Sequence, residues 1–124
     1  MRMTAALALM LPLGLAGCGD RPASTAQAPS VPARLHALGT EPFWSLRIEG
    51  TTLAYTTPED SQGRRGAVTR RDIPGAAVFS GRLGDAAIRV EVSQRECSDG
   101  MSDRTYPFAV ALALGAERRL GCAS

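Results

Sequence analysis

The sequence predicts an all-β domain, a small antiparallel barrel or sandwich of about six to eight short strands. Large apolar side chains alternate with small or polar ones in residues 43–49, 87–93 and 108–114, which is the pattern of half-buried strands. Turn residues, mainly glycines, separate these runs, and no amphipathic segment of helical length follows the amino-terminal leader. A barrel or sandwich is expected because either arrangement reduces the number of exposed sheet edges.

The amino-terminal half of the domain contains one predicted hairpin and one weaker strand. Residues 43–55 form the hairpin, with Gly50 as a turn residue between its two strands. Residues 58–66 are polar and rich in turn-forming residues, so they predict a loop. Residues 67–73 follow as a short strand.

The carboxyl-terminal half shows stronger alternation. Residues 76–83 and 87–93 form the clearest hairpin of the chain, because every second residue of its second strand is a branched apolar one. Residues 108–114 alternate large side chains with alanines, which suits a crowded surface where another segment lies close. A last strand is predicted at residues 117–122, after a turn at Gly115.

The amino-terminal segment is predicted to be an export signal. Arg2 is the only charged residue before an apolar run at residues 5–15, and this run is too short for a helix to cross a hydrocarbon core of about 30 Å. The sequence Leu-Ala-Gly-Cys that ends at Cys18 resembles the lipobox of bacterial lipoproteins. The resemblance implies that residues 1–17 are removed and that Cys18 is lipidated. An ordinary signal peptide is the alternative.

The residues after Cys18 suggest a destination and a tether. In enteric bacteria, an Asp directly after the lipidated Cys retains a lipoprotein at the inner membrane; here Gly19 takes that position. The resemblance therefore implies the periplasmic face of the outer membrane. Residues 18–37 are rich in Ala, Ser, Thr, Gln and Pro and predict a flexible tether with a mean span of about 24 Å. Residues 38–124 are expected to form a single domain.

Charge argues against a nucleic-acid partner. The chain has 14 Arg, no Lys and 12 acidic residues, for a formal net charge of +2, whereas a nucleic-acid-binding domain carries a strongly basic surface. Adjacent arginines could contact anionic lipid headgroups. The simpler interpretation is that they lie on solvated loop or strand faces. These pairs are Arg64 with Arg65, Arg70 with Arg71, and Arg118 with Arg119.

The cysteine count predicts one disulfide. Three cysteines are present, and Cys18 is assigned to lipid, which leaves Cys97 and Cys122 in an oxidising compartment. Their bond would close a loop of about 26 residues and stabilise the fold by about 3.5 kcal/mol in the chain-entropy model. A zinc site is the alternative, but it needs further ligands, and the only histidine is His36 at the expected end of the tether.

No catalytic residue and no cofactor are predicted. His36 precedes the first predicted strand, so a Ser-His-Asp or Cys-His arrangement is not expected. Asp99 and Asp103 could form a calcium site or an acid–base pair, since hard oxygen ligands are present. A turn explains the same residues, because Asp99 can accept hydrogen bonds from the backbone ahead and Gly100 can take a positive φ.

Two longer motifs carry a family resemblance. The first is Gly-x-Glu-Pro-Phe-Trp at residues 39–44, the second is Cys-x-Asp-Gly-Met-Ser-Asp-x-x-Tyr-Pro at residues 97–107, and a closing Gly-Cys follows at residues 121–122. They resemble a family of uncharacterised bacterial envelope lipoproteins, sometimes associated with META-type domains. The resemblance implies a fold but no activity.

The motifs suggest a recognition surface. Its candidate residues are Glu41, Trp44, Asp99, Asp103, Arg104 and Tyr106. The expected function is that of a lipid-anchored, non-enzymatic periplasmic domain that binds an envelope protein or a small ligand. A calcium-binding or hydrolytic envelope protein is one alternative. Another is a membrane-bound lysozyme inhibitor, which this chain resembles in size, anchor, β pattern and disulfide; it lacks the inhibitory Ser-Gly-x-Gly-like loop, to which Ser80, Gly81 and Arg82 come nearest.

Overall fold

The computed structural model of the protein describes residue 19 and residues 30–124. The predicted signal peptide, Cys18 and most of the predicted tether lie outside these residues. The described part forms ten strands. They are β1 (Arg34–Thr40), β2 (Phe43–Glu49), β3 (Thr52–Thr57), β4 (Asp60–Ile73), β5 (Ala76–Leu83), β6 (Ala86–Ser93), β7 (Cys97–Ser98), β8 (Thr105–Tyr106), β9 (Phe108–Leu114) and β10 (Glu117–Ala123).

Eight of these strands close into an antiparallel barrel in the order β1-β10-β9-β6-β5-β4-β3-β2. The short strands β7 and β8 pair with each other outside the barrel, in the connection between β6 and β9. The all-β prediction is confirmed, and the barrel is the correct one of its two alternatives. None of the described residues belongs to a helix long and apolar enough to cross a membrane.

Two predicted boundaries need correction. The strand β1 begins at Arg34, so the domain starts earlier than the predicted boundary at residue 38 and includes His36. Its inward positions carry only one large side chain followed by Ala and Gly, which makes the alternation faint in the sequence. The loop predicted at residues 58–66 is wrong for most of its length, because residues 60–73 form the single long strand β4.

The barrel interior is a packed core. Apolar side chains from every barrel strand fill it, and those of β1, β4 and β10 are the fewest or smallest. An interior of this kind supports the barrel mechanically and indicates a core rather than a ligand-filled lumen. The largest of the completely buried side chains are Phe79, Leu46, Ile48, Leu53, Leu83, Leu112, Val90 and Val92.

The two ends of the barrel differ. One end, called the mouth here, carries the short β1–β2, β3–β4, β5–β6 and β9–β10 turns. At the opposite end, called the base, the chain enters β1 and buries Val31 in the core. The Arg70 guanidinium donates hydrogen bonds to the carbonyls of Val31 at 2.6 Å and Pro32 at 3.2 Å, and its centre lies 5.4 Å from the centroid of the Phe79 ring. These contacts fix the entering chain against the base.

The barrel closes where its first and last strands meet, at a ladder called the seam here. The β1–β10 register contains only two residue pairs, Ala37 with Ala123 and Leu38 with Cys122. By contrast, β1 pairs with β2 through all seven of its residues. Two backbone hydrogen bonds between His36 and Ser124 extend this ladder, which is still short, so other contacts also contribute to closure.

Trp44 reinforces the seam from inside the barrel. Its side chain is only 4 % exposed. The indole covers Gly39 of β1 and Gly121 of β10: a Cβ atom at Gly39 would overlap the ring, and one at Gly121 would lie 2.6 Å from Trp44 Cζ2. Both positions therefore require glycine, because the ring occupies the space of a side chain. One tryptophan thus covers both strands of the seam.

Candidate functional site

A disulfide reinforces the seam from outside. Cys97 and Cys122 are bonded, with their Cα atoms 5.5 Å apart, as the sequence predicted. Since Cys122 faces outward on β10, the bond attaches the hairpin of β7 and β8 to the outer wall of the barrel. Thr40 Oγ1 of β1 also donates a hydrogen bond to the Asp99 carbonyl at 3.3 Å. This segment, residues 97–106, is called the outer hairpin below.

The acidic segment of the outer hairpin is a turn organised by Asp99. Its Oδ1 accepts hydrogen bonds at 2.9 Å from the backbone N–H groups of Met101 and Ser102, and its Oδ2 accepts one at 3.0 Å from Ser102 Oγ. The two backbone donors lower the pKa of the Asp99 carboxyl. Gly100 has a φ of 74°. Across the described residues, no group of three or more His, Cys, Asp or Glu side chains could hold a metal ion.

The predicted recognition residues do not form one surface. Trp44 and Tyr106 are buried, at 4 % and 6 % exposure. The Tyr106 hydroxyl donates to Asp99 Oδ2 at 3.4 Å, and the Arg104 guanidinium lies 4.6 Å from the centroid of the Tyr106 ring. These three residues therefore meet in the outer hairpin, whereas Trp44 lies on the inner side of the barrel wall. The remaining candidates, Glu41 and Asp103, are exposed.

The most exposed large hydrophobic side chains gather near Thr40. In the described part of the chain they are Phe43, Met101 and Leu120, with 54 %, 67 % and 79 % of their surface exposed. Phe43 pairs directly with Thr40 across the β1–β2 turn. Met101 comes two residues after Asp99, whose carbonyl accepts the Thr40 hydrogen bond.

Register places Leu120 in the same area. It lies two residues before Cys122 on β10, and Cys122 pairs with Leu38 on β1. Because the two strands are antiparallel, Leu120 is level with Thr40, which lies two residues after Leu38. Side chains two residues apart share a face, so Leu120 points outward like Cys122.

An apolar groove adjoins these side chains. It has a volume of about 390 Å³ and lies on the outer wall, with Leu38, Phe43 and Pro58 among its lining residues. The groove and the exposed side chains together are called the apolar patch, which comprises Leu38, Phe43, Pro58, Met101 and Leu120.

A second depression, of about 360 Å³, opens at the mouth and shares Phe43 and Thr57 with the groove. Its titratable lining residues are called the charged mouth. They are Tyr55, Glu59, Arg64, Glu117 and Arg119. Sequence reasoning noted Arg64 and Arg119 only as members of arginine pairs and did not connect the five residues, since only the register brings their separate segments together.

The alternation of strands explains how the arginines reach the mouth. Arg64 pairs with Tyr55, whose side chain is buried in the core, so Arg64 faces inward and its neighbour Arg65 faces outward. Likewise Arg119 pairs with the buried Leu112, and Arg118 faces outward. Adjacent arginines in this chain therefore serve opposite faces of the wall and do not form doubly charged surface sites.

The groups of the charged mouth act on one another. Burial raises the pKa of Tyr55, Arg119 and Arg64 oppose this shift, and Glu117 and Glu59 add to it. The phenol is therefore neutral near neutral pH and can donate a hydrogen bond. Arg119 Nη2 lies 3.4 Å from Glu117 Oε2, while its buried Nε has no acceptor among the described residues.

His36 lies on the outer wall beside Ser45. Its Nε2 is 3.0 Å from Ser45 Oγ, which is the contact of a nucleophile and a base. Burial, and then the nearby Arg47 and Arg104, lower the pKa of the imidazole. The charged neighbours that act on His36 are thus arginines, whereas a hydrolase triad needs a carboxylate that orients the ring.

The described residues define a class of protein: a small antiparallel barrel with a packed interior, an outer hairpin held by a disulfide, and concave surfaces at the mouth end. The chain matches no protein-family model, no curated protein and no solved structure. The resemblance to envelope lipoproteins, the lipid anchor and the location therefore stay predictions from the sequence.

Proposed function

We propose that the protein is a lipid-anchored, non-enzymatic binding module of the cell envelope, which binds a partner protein through the apolar patch. The observation that carries this proposal is the convergence near Thr40 of Phe43, Met101 and Leu120, the most exposed large hydrophobics among the described residues. Exposed apolar side chains that lie together mark interaction sites far more often than single ones do.

The fold favours insertion of a partner's side chain into the surface groove over strand addition and over a ligand inside the barrel. Each barrel strand pairs with a neighbour on both sides, so no strand offers a wholly free edge to which a partner could add a strand. The packed core disfavours a ligand inside the barrel. A groove of about 390 Å³ instead accepts an apolar or aromatic side chain from a partner.

The predicted recognition residues fit this arrangement as a polar rim. Glu41 follows Thr40 directly, and Asp103 and Arg104 follow Met101 in the outer hairpin. All three side chains are exposed and carry charges of both signs. Binding interfaces commonly combine an apolar centre with a polar rim, which contributes more to specificity than to affinity.

The position of the patch suits an anchored protein. The described chain enters the barrel at the base, where Arg70 holds Val31 and Pro32. The apolar patch lies toward the other end, around the β1–β2 turn. A tether from Cys18 would therefore join the domain at the end opposite the patch and leave the patch accessible, which favours a protein of the periplasm over membrane headgroups.

The anchor is tested by changing its proposed attachment site. We expect Cys18→Ser to abolish the mass of the acyl chains on the mature protein and to release it from the membrane fraction, because acyl chains contribute about 0.8 kcal/mol for each buried CH₂. Mass spectrometry and membrane fractionation measure these effects. Gly19→Asp should move the protein to the inner membrane without loss of lipid. An unmodified thiol at Cys18 in protein from the native host would contradict the anchor.

The partner surface is tested by site-specific photo-crosslinking in the native host. A photoreactive residue at Leu120 should yield one crosslinked protein, and the same probe at the exposed Ser80 on β5 should yield none. Once that protein is identified and purified, Phe43→Ser should weaken its affinity by about tenfold or more, as expected for a central apolar anchor. Ser80→Ala serves as the matched control. Equal effects of the two variants, or binding to lipid vesicles alone, would contradict the proposal.

The inhibitor alternative gains no support from the position of its nearest segment. Ser80, Gly81 and Arg82 lie within β5 and pair with β4 or β6 along their length. A segment held in this way does not protrude into the active site of an enzyme. The proposal therefore concerns partner binding in general.

A further inference from the structure

We propose that the charged mouth binds a small zwitterion, an amino acid or short peptide that carries both a free carboxylate and a free ammonium group. This site lies beside the apolar patch, and the two concave surfaces share Phe43 and Thr57. The inference goes beyond the proposed partner binding and does not depend on it.

The lining of the mouth combines an aromatic surface with charged groups, which is the composition of a small-molecule site. Tyr55 lines the mouth together with Pro42 and Phe43, and its ring centroid lies 6.4 Å from that of the buried Trp44. The Arg64 guanidinium lies 5.9 Å from the centroid of the Tyr55 ring and covers one side. Aromatic rings and prolines supply a rigid apolar base, on which a few charged groups can fix the orientation of a small molecule.

The charged groups of the mouth do not satisfy one another. The only ion pair among them in the described chain joins Arg119 and Glu117, at a long 3.4 Å. Neither Arg64 nor Glu59 has an ion-pair partner within 4.0 Å among residues 30–124. Donors and acceptors therefore stay available to a ligand.

The balance of charge selects the class of ligand. Two arginines and two glutamates line the mouth. A simple anion would meet both carboxylates, and a simple cation would meet both guanidinium groups, so each is disfavoured by repulsion. A zwitterion can place its carboxylate against Arg64 and the Tyr55 hydroxyl and its ammonium against Glu59 and Glu117. Burial keeps that hydroxyl protonated, because it raises the pKa of Tyr55.

The ligand class is tested with three related probes. Alanyl-alanine has both charges, N-acetyl-alanyl-alanine lacks the ammonium, and alanyl-alaninamide lacks the carboxylate. Titration of the purified mature protein, followed by NMR shifts of residues 55, 64 and 119, should show saturation with the first probe and affinities about tenfold weaker or worse with the other two. Equal affinities for all three, or no saturation by the first at a concentration on the order of 10 mM, would overturn the proposal.

The strand alternation supplies matched control variants. Arg64→Ala should weaken alanyl-alanine binding by about tenfold or more, since a charge-assisted hydrogen bond is lost, and Arg65→Ala on the outer face should leave it unchanged. Tyr55→Phe should weaken it by about threefold. If Arg64→Ala and Arg65→Ala act alike, the mouth is not the site. Leu120→Ser separates the two proposals, because it should impair capture of the partner protein and leave dipeptide binding intact.

Discussion

Replacing Trp44 with alanine is expected to lower the free energy of unfolding by about 4 kcal/mol, which is typical for loss of a large aromatic side chain from a core. The indole is buried and covers both strands of the seam at Gly39 and Gly121. Since domains of this size have a total stability of about 5–15 kcal/mol, the variant should be near its unfolding threshold. Urea unfolding followed by far-UV circular dichroism measures the change.

The neighbouring residue provides the control. Phe43 is also aromatic, but it points outward and is half exposed. Phe43→Ala should change the free energy of unfolding by no more than about 1 kcal/mol, because surface substitutions rarely cost more. Similar losses for Trp44→Ala and Phe43→Ala would contradict the assignment of Trp44 to the seam.

Removal of the disulfide, by the double change Cys97→Ala and Cys122→Ala, should lower the free energy of unfolding by about 3.5 kcal/mol in the chain-entropy model. The outer hairpin should also exchange its amide hydrogens faster, since the Thr40–Asp99 hydrogen bond is then one of its few remaining links to the wall. Denaturant unfolding and hydrogen exchange measure the two effects.

Chemical reduction checks the same link without a change of sequence. The native protein in a reducing buffer should lose as much stability as the double variant and should expose two reactive thiols per molecule. Unchanged stability in the reducing buffer, with both thiols already reactive beforehand, would show that Cys97 and Cys122 are not paired in solution.

The fold class could be predicted because most strands carry a strong period of two. The strand β9 places a large apolar residue at every inward position, and β6 does so at all but its first, so their pattern is clear. The second half of β4 was predicted as a short strand, but its first half was not, because its inward positions hold Arg64 and Gly66, and only Val68 in the whole strand is buried. Charged residues near the ends of a barrel remove the alternation on which such a prediction rests.

The functional surfaces were harder to predict for a different reason. The motifs at residues 39–44 and 97–107 drew attention to Trp44 and Tyr106, whose burial now gives them an architectural role. The charged mouth and the apolar patch are made of residues from strands far apart in the chain, such as Arg64 and Leu120. Their neighbours depend on register and closure, which the spacing within a single segment does not contain.

The seam is expected to form late in folding. It joins the first strand of the domain to the last, so its two halves are separated by nearly the whole chain, and contacts of that kind form slowly. Before β10 pairs, the edges of β1 and β9 are both unpaired, and the Trp44 ring is not packed against Gly121. A chain that lacks β10 is therefore expected to form an open sheet, whose unpaired edges can pair with other chains. The pairing of β10 with β1 converts it into a closed barrel.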